Sequence, residues 1–195
     1  LGVGWSLSVP SIQRQTDKGQ PEYNGNDVLV DWTGEELVPL ADGTWRAENE
    51  AQFRRFRRLG EGWEIQDKSG RTYRLGQFPN QDDPFRASRM GQQANGLGRR
   101  TPTTEATYDQ TYQWFVDALV DSNGNVIEFY YTGFGDSPGA LYLSEIRYNL
   151  QGTAGYSSVT FDYETRADSF SEYRPGFQIR HARRLSSVQM LSAGI

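Results

Sequence analysis

Two strand-like runs joined by a tight turn constrain this chain more than any other feature. Residues 113–120 and 125–131 both fit β-strands, and residues 121–124, with the sequence Asp-Ser-Asn-Gly, connect them. An Asn-Gly pair readily adopts the positive φ angles that a tight hairpin requires. The sequence therefore predicts an antiparallel hairpin here, and with it a fold built from paired strands.

Further strand signals recur at short intervals along the chain. Residues 63–67 and 72–75 flank a second turn, 67–70, with the sequence Asp-Lys-Ser-Gly. The 21 glycines, 8 prolines and 13% aromatic residues are typical of short strands joined by tight turns. We therefore predict an all-β fold, an antiparallel meander of hairpins. The remaining predicted strands are 27–32, 141–148, 158–164 and 177–181.

The strand pattern breaks between residues 79 and 107. This stretch is polar and glycine-rich and has no sustained period, which predicts a long irregular loop with a short helical turn at 84–90. We accordingly predict a single domain, 1–195, divisible into sub-units 1–78 and 108–195 that the loop-rich segment joins.

Residues 48–59 fit two kinds of structure. Phe53, Phe56 and Leu59 lie three apart, which is compatible with one face of a helix. The same residues also fit a strand that contains a bulge, so the sequence leaves both interpretations open.

Composition excludes several classes of function. The 25 acidic residues outnumber the 20 basic ones and give a net charge of −5, which argues against nucleic acid as a partner because phosphate binding needs a cationic surface. The absence of cysteine excludes disulfides, thiolate metal sites and thiol nucleophiles. No run reaches the roughly 18 apolar residues of a membrane-spanning helix, so no direct membrane insertion is expected. Because the sequence does not begin with methionine, we expect it to be a segment of a longer protein.

Candidate catalytic residues are few. His181 is the only histidine, so a serine or cysteine triad and a multi-histidine metal site both lack material. Glu48 and Glu50 form a Glu-x-Glu pattern like that of ADP-ribosyltransferases, but the Ser-Thr-Ser strand that should precede it is absent. We therefore interpret His181 as a strand-face residue and the two glutamates as surface residues.

Adjacent acidic residues do not make a better site. Glycoside hydrolysis needs two carboxyl groups about 5–10 Å apart across a sugar cleft. Glu35 next to Glu36 and Asp82 next to Asp83 would point to opposite faces of a strand. Residues 121–125 offer oxygen ligands at alternating positions, but the glycine and the glutamate that complete a calcium loop are missing. We therefore expect no catalytic residue, no metal and no cofactor.

Short motifs in a fixed order run along almost the whole chain. They begin at 2–14 with the pattern Gly-x-Gly-Trp-x-Leu-Ser-x-Pro-x-Ile-x-Arg and continue at 16–23, 34–39, 53–56, 63–73, 121–131, 142–148, 159–168 and 174–185. In this order they resemble the N-terminal domain shared by SpvB virulence proteins and by the B components, of TcaC type, of bacterial insecticidal toxin complexes. Residues 121–131 also resemble the Rhs or YD repeat unit. The stretch from 91 to 107 does not align with the family.

The resemblance implies a structural function. In the toxin complexes the B component and the Rhs-type C component build a hollow shell that encloses a cytotoxic segment of the C component. The resemblance thus implies a non-catalytic domain that is part of an Rhs-like β-shell or a β-sandwich-like slab and helps to enclose, chaperone and deliver the cargo. The implied partners are the rest of the parent chain, the C component and, through the assembly, an A-component pore. The implied location is extracellular, after synthesis in the bacterial cytoplasm.

Eleven residues are predicted to hold this shell together by packing. The list comprises Trp5, Pro10, Ile12, Trp63, Tyr73, Trp114, Tyr131, Tyr148, Phe161, Tyr163 and Phe177. The alternative function is a secreted β-sandwich that binds glycans on exposed aromatic rings. Trp32 and Trp45 fit either a sugar platform or ordinary packing, and the sequence does not distinguish the two.

Overall fold

The fold is entirely β, as the sequence predicts. The computed structural model describes residues 7–77, 89–91, 111–150 and 155–192. In these ranges thirteen strands form one antiparallel sheet, and there is neither a helix nor any segment of helix that could cross a membrane. The strands are β1 (Ser11–Arg14), β2 (Leu29–Asp31), β3 (Glu36–Pro39), β4 (Thr44–Ala47), β5 (Arg55–Leu59), β6 (Gly62–Gln66), β7 (Thr72–Leu75), β8 (Arg89–Gly91), β9 (Thr111–Val120), β10 (Val126–Thr132), β11 (Tyr142–Tyr148), β12 (Ser157–Glu172) and β13 (Ile179–Leu191).

The first half of the sheet closes on itself. Each strand from β1 to β7 pairs with the next, β7 pairs with β9, and β9 pairs back with β1. Ile12 of β1 is the register partner of Trp114, and Leu75 of β7 is the register partner of Val116. Among the described strands, β1 to β7 and β9 thus form a closed barrel of eight, in which every strand has two neighbours and none is an edge.

Strand β9 belongs to two parts of the molecule. Its first half pairs with β1 and with the short strand β8, and its second half pairs with β7 and with β10. From β10 the sheet continues through β11 and β12 to β13, away from the barrel. We call strands β10 to β13 the outer sheet.

Three hairpin turns share the same pattern of hydrogen bonds between an aspartate side chain and the backbone. Asp31, Asp67 and Asp121 each end or follow a strand and are followed three positions later by a glycine with a φ angle between 81° and 89°. One carboxylate oxygen of each aspartate accepts hydrogen bonds from the backbone N–H groups two and four residues ahead. A second backbone pair closes each turn, between the aspartate and the residue four positions later. The Asp-x-[Ser/Thr/Asn]-Gly pattern is therefore what makes these hairpins tight.

The barrel encloses an aromatic core. Trp63 and Trp114 are fully buried with their rings 6.2 Å apart, and Trp45 packs edge-on against Trp63 at 5.7 Å. Edge-to-face pairs of this kind add about 0.5–1.5 kcal/mol beyond the burial of apolar area. The Trp114 Nε1–H donates to the carbonyl of Glu61 at 2.8 Å, which satisfies its one polar group. The other fully buried apolar side chains of this cluster are Ile12, Phe56, Ile65, Leu75 and Val116.

A smaller apolar cluster attaches the outer sheet to the barrel. Tyr112 of β9 packs edge-on against Phe177 at 6.5 Å, beside the fully buried Ile179 at the start of β13. Tyr23 from the loop between β1 and β2 donates its hydroxyl to the carbonyl of Pro175 at 2.6 Å. The turn between β12 and β13 is therefore held against the barrel.

The remaining sequence predictions have mixed outcomes. Residues 48–59 contain no helix: Arg55–Leu59 is strand β5, because it pairs with β4 and β6 and buries Phe56 between them. The helical turn predicted at 84–90 is wrong at its end, since Arg89–Gly91 pairs with β9 as a strand. The rest of the predicted loop 79–107, including residues 84–88, lies outside the described residues.

Candidate functional site

One face of the outer sheet carries a row of apolar side chains that ends at the sheet edge. Phe129, Ile146, Val159 and Met190 are successive register partners across β10, β11, β12 and β13. Directly paired residues of antiparallel strands point to the same side, so these four side chains form one line. Phe129 packs against the barrel core, and the row becomes more exposed outward until Met190 is 73% exposed.

Among the described residues, β12 is the only strand that pairs with β13. Toward the loop between β10 and β11, Arg180 donates its N–H to the carbonyl of Pro138 at 2.9 Å, and Ala182 donates to the Ser137 hydroxyl at 3.2 Å. Beyond Ala182, the described part of the chain offers this edge no further hydrogen-bond partner. An exposed strand edge of this kind is a template for pairing with another strand.

Exposed apolar side chains cluster at the same end of β13. Val188 is 50% exposed and Leu191 is 59% exposed, beside Met190. Val188 pairs with Phe161, so it lies on the same face as Met190, whereas Leu191 pairs with Ser158 on the other face. We call the free edge of β13 beyond Ala182, together with Val188, Met190 and Leu191, the β13 edge surface.

Aromatic packing stiffens the sheet behind this edge. The rings of Tyr142 and Tyr163 lie 5.1 Å apart, and Phe134 packs against both. The Arg183 guanidinium lies 4.7 Å from the Phe134 ring and pairs with Asp136 at 2.9 Å. Burial, with a smaller contribution from Tyr142, raises the pKa of Tyr163 to about 12, so its hydroxyl stays a donor to the Leu143 carbonyl at 2.7 Å.

The structure places ten of the eleven predicted packing residues in two groups. Ile12, Trp63 and Trp114 are fully buried in the barrel, and Tyr131 is 2% exposed and donates its hydroxyl to the carbonyl of Val116. Burial raises the pKa of Tyr131 well above its ordinary value, which keeps that hydroxyl protonated. Trp5 lies outside the described residues. The half-buried members are Pro10, Tyr73, Tyr148, Phe161, Tyr163 and Phe177.

The residues weighed for catalysis do not assemble. Glu36 pairs with Lys18 at 2.6 Å and Glu50 with Arg46 at 3.4 Å, so each serves as a partner to a nearby cation. His181 stacks on Phe170 at 4.8 Å in β13, on the strand face where the sequence places it. In residues 7–77, 89–91, 111–150 and 155–192, no three His, Asp or Glu side chains are grouped so that they could hold a metal. Asp82 and Asp83 lie outside the described residues.

The two open tryptophan positions are packing residues. Trp32 and Trp45 are half-buried and pack against the barrel core. The Arg54 guanidinium covers the Trp32 ring at 4.1 Å, and Trp45 contacts Trp63.

The second half of β13 is the part of the site that the sequence reading missed. The predicted strand ends at 181, whereas β13 continues to Leu191. The alternation of Val188, Gln189 and Met190 is the signal that could have extended it. Two arginines, Arg183 and Arg184, and the pair Ser186 and Ser187 precede that alternation and obscure it.

Comparison with known proteins places the chain in a family. The family model SpvB, described as Salmonella virulence plasmid 65kDa B protein, matches residues 1–140. The chain belongs to the SpvB family. No curated protein sequence matches it.

Solved structures share the fold of this SpvB-family chain. It superposes on the N-terminal domain of effector protein SpvB from Salmonella typhimurium strain LT2 with a TM-score of 0.75 and 21% identity, over 98% of this chain and 78% of that one. It also superposes on the TcdB2-TccC3-Cdc42 structure with a TM-score of 0.73 and 22% identity, over 97% of this chain and 11% of that one. For the Photorhabdus luminescens Tc holotoxin pore the TM-score is 0.74 at 21% identity, over 96% and 11%. The chain thus spans about a tenth of the length of the two toxin-complex chains.

Proposed function

We propose that this SpvB-family chain is a non-catalytic structural domain of a larger toxin protein, and that it forms part of a β-shell around a cytotoxic cargo. The observation that carries the proposal is the β13 edge surface. There the apolar row of the outer sheet reaches Met190 at the open edge of β13. A sheet that is closed at one end and open at the other is suited to continue into further strands.

The unpaired backbone and the exposed apolar side chains of this edge support assembly here. Unpaired strand edges with exposed apolar residues tend to aggregate unless something covers them. Charged side chains or proline normally protect such an edge. Arg183 and Arg184 are charged, but farther along β13 the exposed side chains of Val188, Met190 and Leu191 are apolar. Strand addition by the rest of a parent chain would satisfy the backbone and cover the apolar row in one step.

The partners follow from the same proposal. The rest of the parent chain would cover the β13 edge surface, and an Rhs-type C component and an A-component pore would join through the assembled particle. The solved structures with this fold support that choice, since they include TcdB2-TccC3 and a Tc holotoxin pore. The protein would act outside the bacterial cell, after synthesis in its cytoplasm. The half-buried Trp32 and Trp45 give the glycan-binding alternative no comparable support.

Size-exclusion chromatography with light scattering tests the proposal. The chain is measured alone and mixed with the remainder of its parent chain. We expect the mixture to form one large, protease-resistant particle. The double variant Val188→Lys and Met190→Lys should enter this particle at least about tenfold less efficiently, because it places two charges where apolar strands must pack.

A matched variant controls for the change in surface chemistry. Leu40→Lys also replaces an apolar side chain that is 43% exposed, but at the turn between β3 and β4. This variant should enter the particle as efficiently as the unsubstituted chain does. A wild-type chain that stays a compact monomer and ignores the remainder of the parent chain would refute the shell function.

A further inference from the structure

A cavity lies at one end of the barrel, between two loops. Its volume is about 170 Å³. The turn after β2 contributes Asp31, Thr33 and Glu35, and the loop between β4 and β5 faces them across the opening. The other lining residues are Ala47, Asn49, Ala51, Gln52, Phe53, Arg54 and Phe56.

Phe53 at the cavity is strained without an internal compensation. Its φ angle is 52°, in the left-handed region that bulky side chains avoid, and its side chain is 60% exposed. Tyr23 has a similar φ of 57°, but it is 7% exposed and donates a hydrogen bond to Pro175. Strained residues persist where a function needs the conformation they hold. In Phe53 the strain keeps an aromatic ring at the cavity.

The charges in the cavity are unequally neutralised. Asp31 pairs with the buried Arg54 at 2.5 Å, and the Arg54 guanidinium also covers Trp32, so this ion pair is complete. The Glu35 carboxylate accepts one long hydrogen bond, 3.3 Å, from the neutral Asn49 amide. No cation in the described ranges forms a salt bridge with Glu35. Of the three charged side chains that line the cavity, Glu35 is therefore the one that no salt bridge in the described residues neutralises.

The chemistry of these groups selects a class of ligand. The methyl groups of Ala47 and Ala51 are available to contact an apolar stem, while Glu35 and the Phe53 ring both attract a cation. The Lys68 ammonium lies 5.9 Å from the centre of the Phe53 ring, close to the limit of about 6 Å for a cation–π contact. An ammonium group on an aliphatic stem matches all three features.

We propose that this cavity binds a lysine side chain presented by an extended peptide segment of a partner protein. The stem lies along Ala47 and Ala51, and the ammonium group lies between Glu35 and the face of Phe53. The proposal is independent of the shell function, because the cavity and the β13 edge surface share no residue.

A peptide titration followed by NMR tests the site. The isotope-labelled chain is titrated with acetyl-Gly-Lys-Gly-amide and, separately, with the same peptide carrying norleucine, which has a stem of similar length and no charge. We expect saturable shifts of the amide signals of Glu35, Asn49 and Phe53 with the lysine peptide alone. Glu35→Gln and Phe53→Leu should each weaken binding about three- to fivefold.

Control variants and ligands decide the outcome. Glu48→Gln removes an exposed glutamate that belongs to the same loop but does not line the cavity. This variant should bind the lysine peptide as the unsubstituted chain does. Dispersed amide spectra of all variants establish that they are folded. The proposal is overturned if neither peptide saturates, or if the norleucine peptide binds equally well. It is also overturned if N-acetylglucosamine produces saturable shifts that Phe53→Leu abolishes, since the site would then bind sugar.

Discussion

A single glycine sets how closely β7 approaches the tryptophan core. Gly76 follows β7 with a φ of 65° and donates its N–H to the carbonyl of Phe115 at 3.0 Å. A Cβ atom at this position would lie 2.3 Å from Trp114 Cδ1. Trp114 is fully buried and cannot move aside, so both the backbone angle and the space require glycine here.

Gly76→Ala should therefore destabilise the chain by about 3 kcal/mol or more, the sum of backbone strain and overpacking. Gly60→Ala is the matched control, because Gly60 has a φ of 57° but nothing within 4 Å of the added Cβ. It should cost only about 1 kcal/mol. Urea denaturation followed by tryptophan fluorescence measures both. Equal losses in the two variants would mean that the Trp114 contact contributes nothing.

The three aspartate turns act as independent stabilising elements, and Asp67 is the clearest example. Partial burial opposes its ionisation, but hydrogen bonds from Ser69 and Arg71 outweigh that effect and lower the pKa of Asp67 to about 2. The Arg71 guanidinium also pairs with it at 2.8 Å. The ionised carboxylate is thus a part of the hairpin between β6 and β7.

This pKa predicts how stability depends on pH. The pKa of Asp67 is lower in the folded state than the roughly 3.9 of an unfolded chain, so its stabilisation is complete above pH 4 and is lost as the pH falls toward 2. At pH 6 Asp67→Asn should lower the free energy of unfolding by about 2 kcal/mol, and this difference should shrink toward zero near pH 2. Urea titrations at both pH values measure it.

The exposed Asp17 supplies the comparison for that experiment. Asp17→Asn removes the same charge outside any turn, and the difference from the parent chain should be small at both pH values. If Asp67→Asn behaved in the same way, the hydrogen bonds of the turn would not be the source of the stability.

Strands next to aspartate turns were the easiest to predict from sequence. The turns at Asp67 and Asp121 identify β6, β7, β9 and β10 closely, because the Gly after the turn and the alternation before it agree. The same turn at Asp31 went unnoticed because Trp32 follows directly and extends the apparent strand. Strand β5 was ambiguous because arginines surround its only buried residue, Phe56, so the burial pattern has no period to detect.

Closure of the barrel depends on β1, because it pairs with β2 on one side and with β9 on the other. Ile12 is fully buried between Asp31 and Trp114, its two register partners. Arg14 pairs with Asp27 at 2.7 Å and donates from Nε to the carbonyl of Thr111 at 2.8 Å. Without β1, both β2 and β9 would have an open edge.

Deleting residues 1–14 should therefore abolish the cooperative thermal transition that near-ultraviolet circular dichroism detects from the tryptophan core. Deleting residues 186–195 removes a comparable length from the outer sheet and should leave that transition in place, because the barrel stays closed. A cooperative transition in the first truncation, at the temperature of the parent chain, would contradict the role assigned to β1.

Neither the closure nor the candidate sites could be predicted from the sequence alone. Local patterns identify strands and turns, but the pairing of β1 with β9 joins residues about a hundred positions apart. The cavity at Phe53 depends on a backbone angle that no residue type in 48–59 signals. What the sequence does indicate is the order of motifs, which is why the family was recognisable while the barrel was not.

The shared strand β9 has a mechanical consequence. Both halves of β9 are hydrogen-bonded to barrel strands, and its second half is also bonded to β10 of the outer sheet, so a force applied to the outer sheet reaches the barrel through one continuous backbone. Ladders pulled along the strand direction resist as a group, whereas ladders pulled sideways open one bond after another. The register shift between Arg74 and Leu75 marks the place where the β7–β9 ladder of the barrel can bend. A pull along β9 would thus pass from the outer sheet to the barrel, while a twist would change the backbone conformation mainly at that register shift.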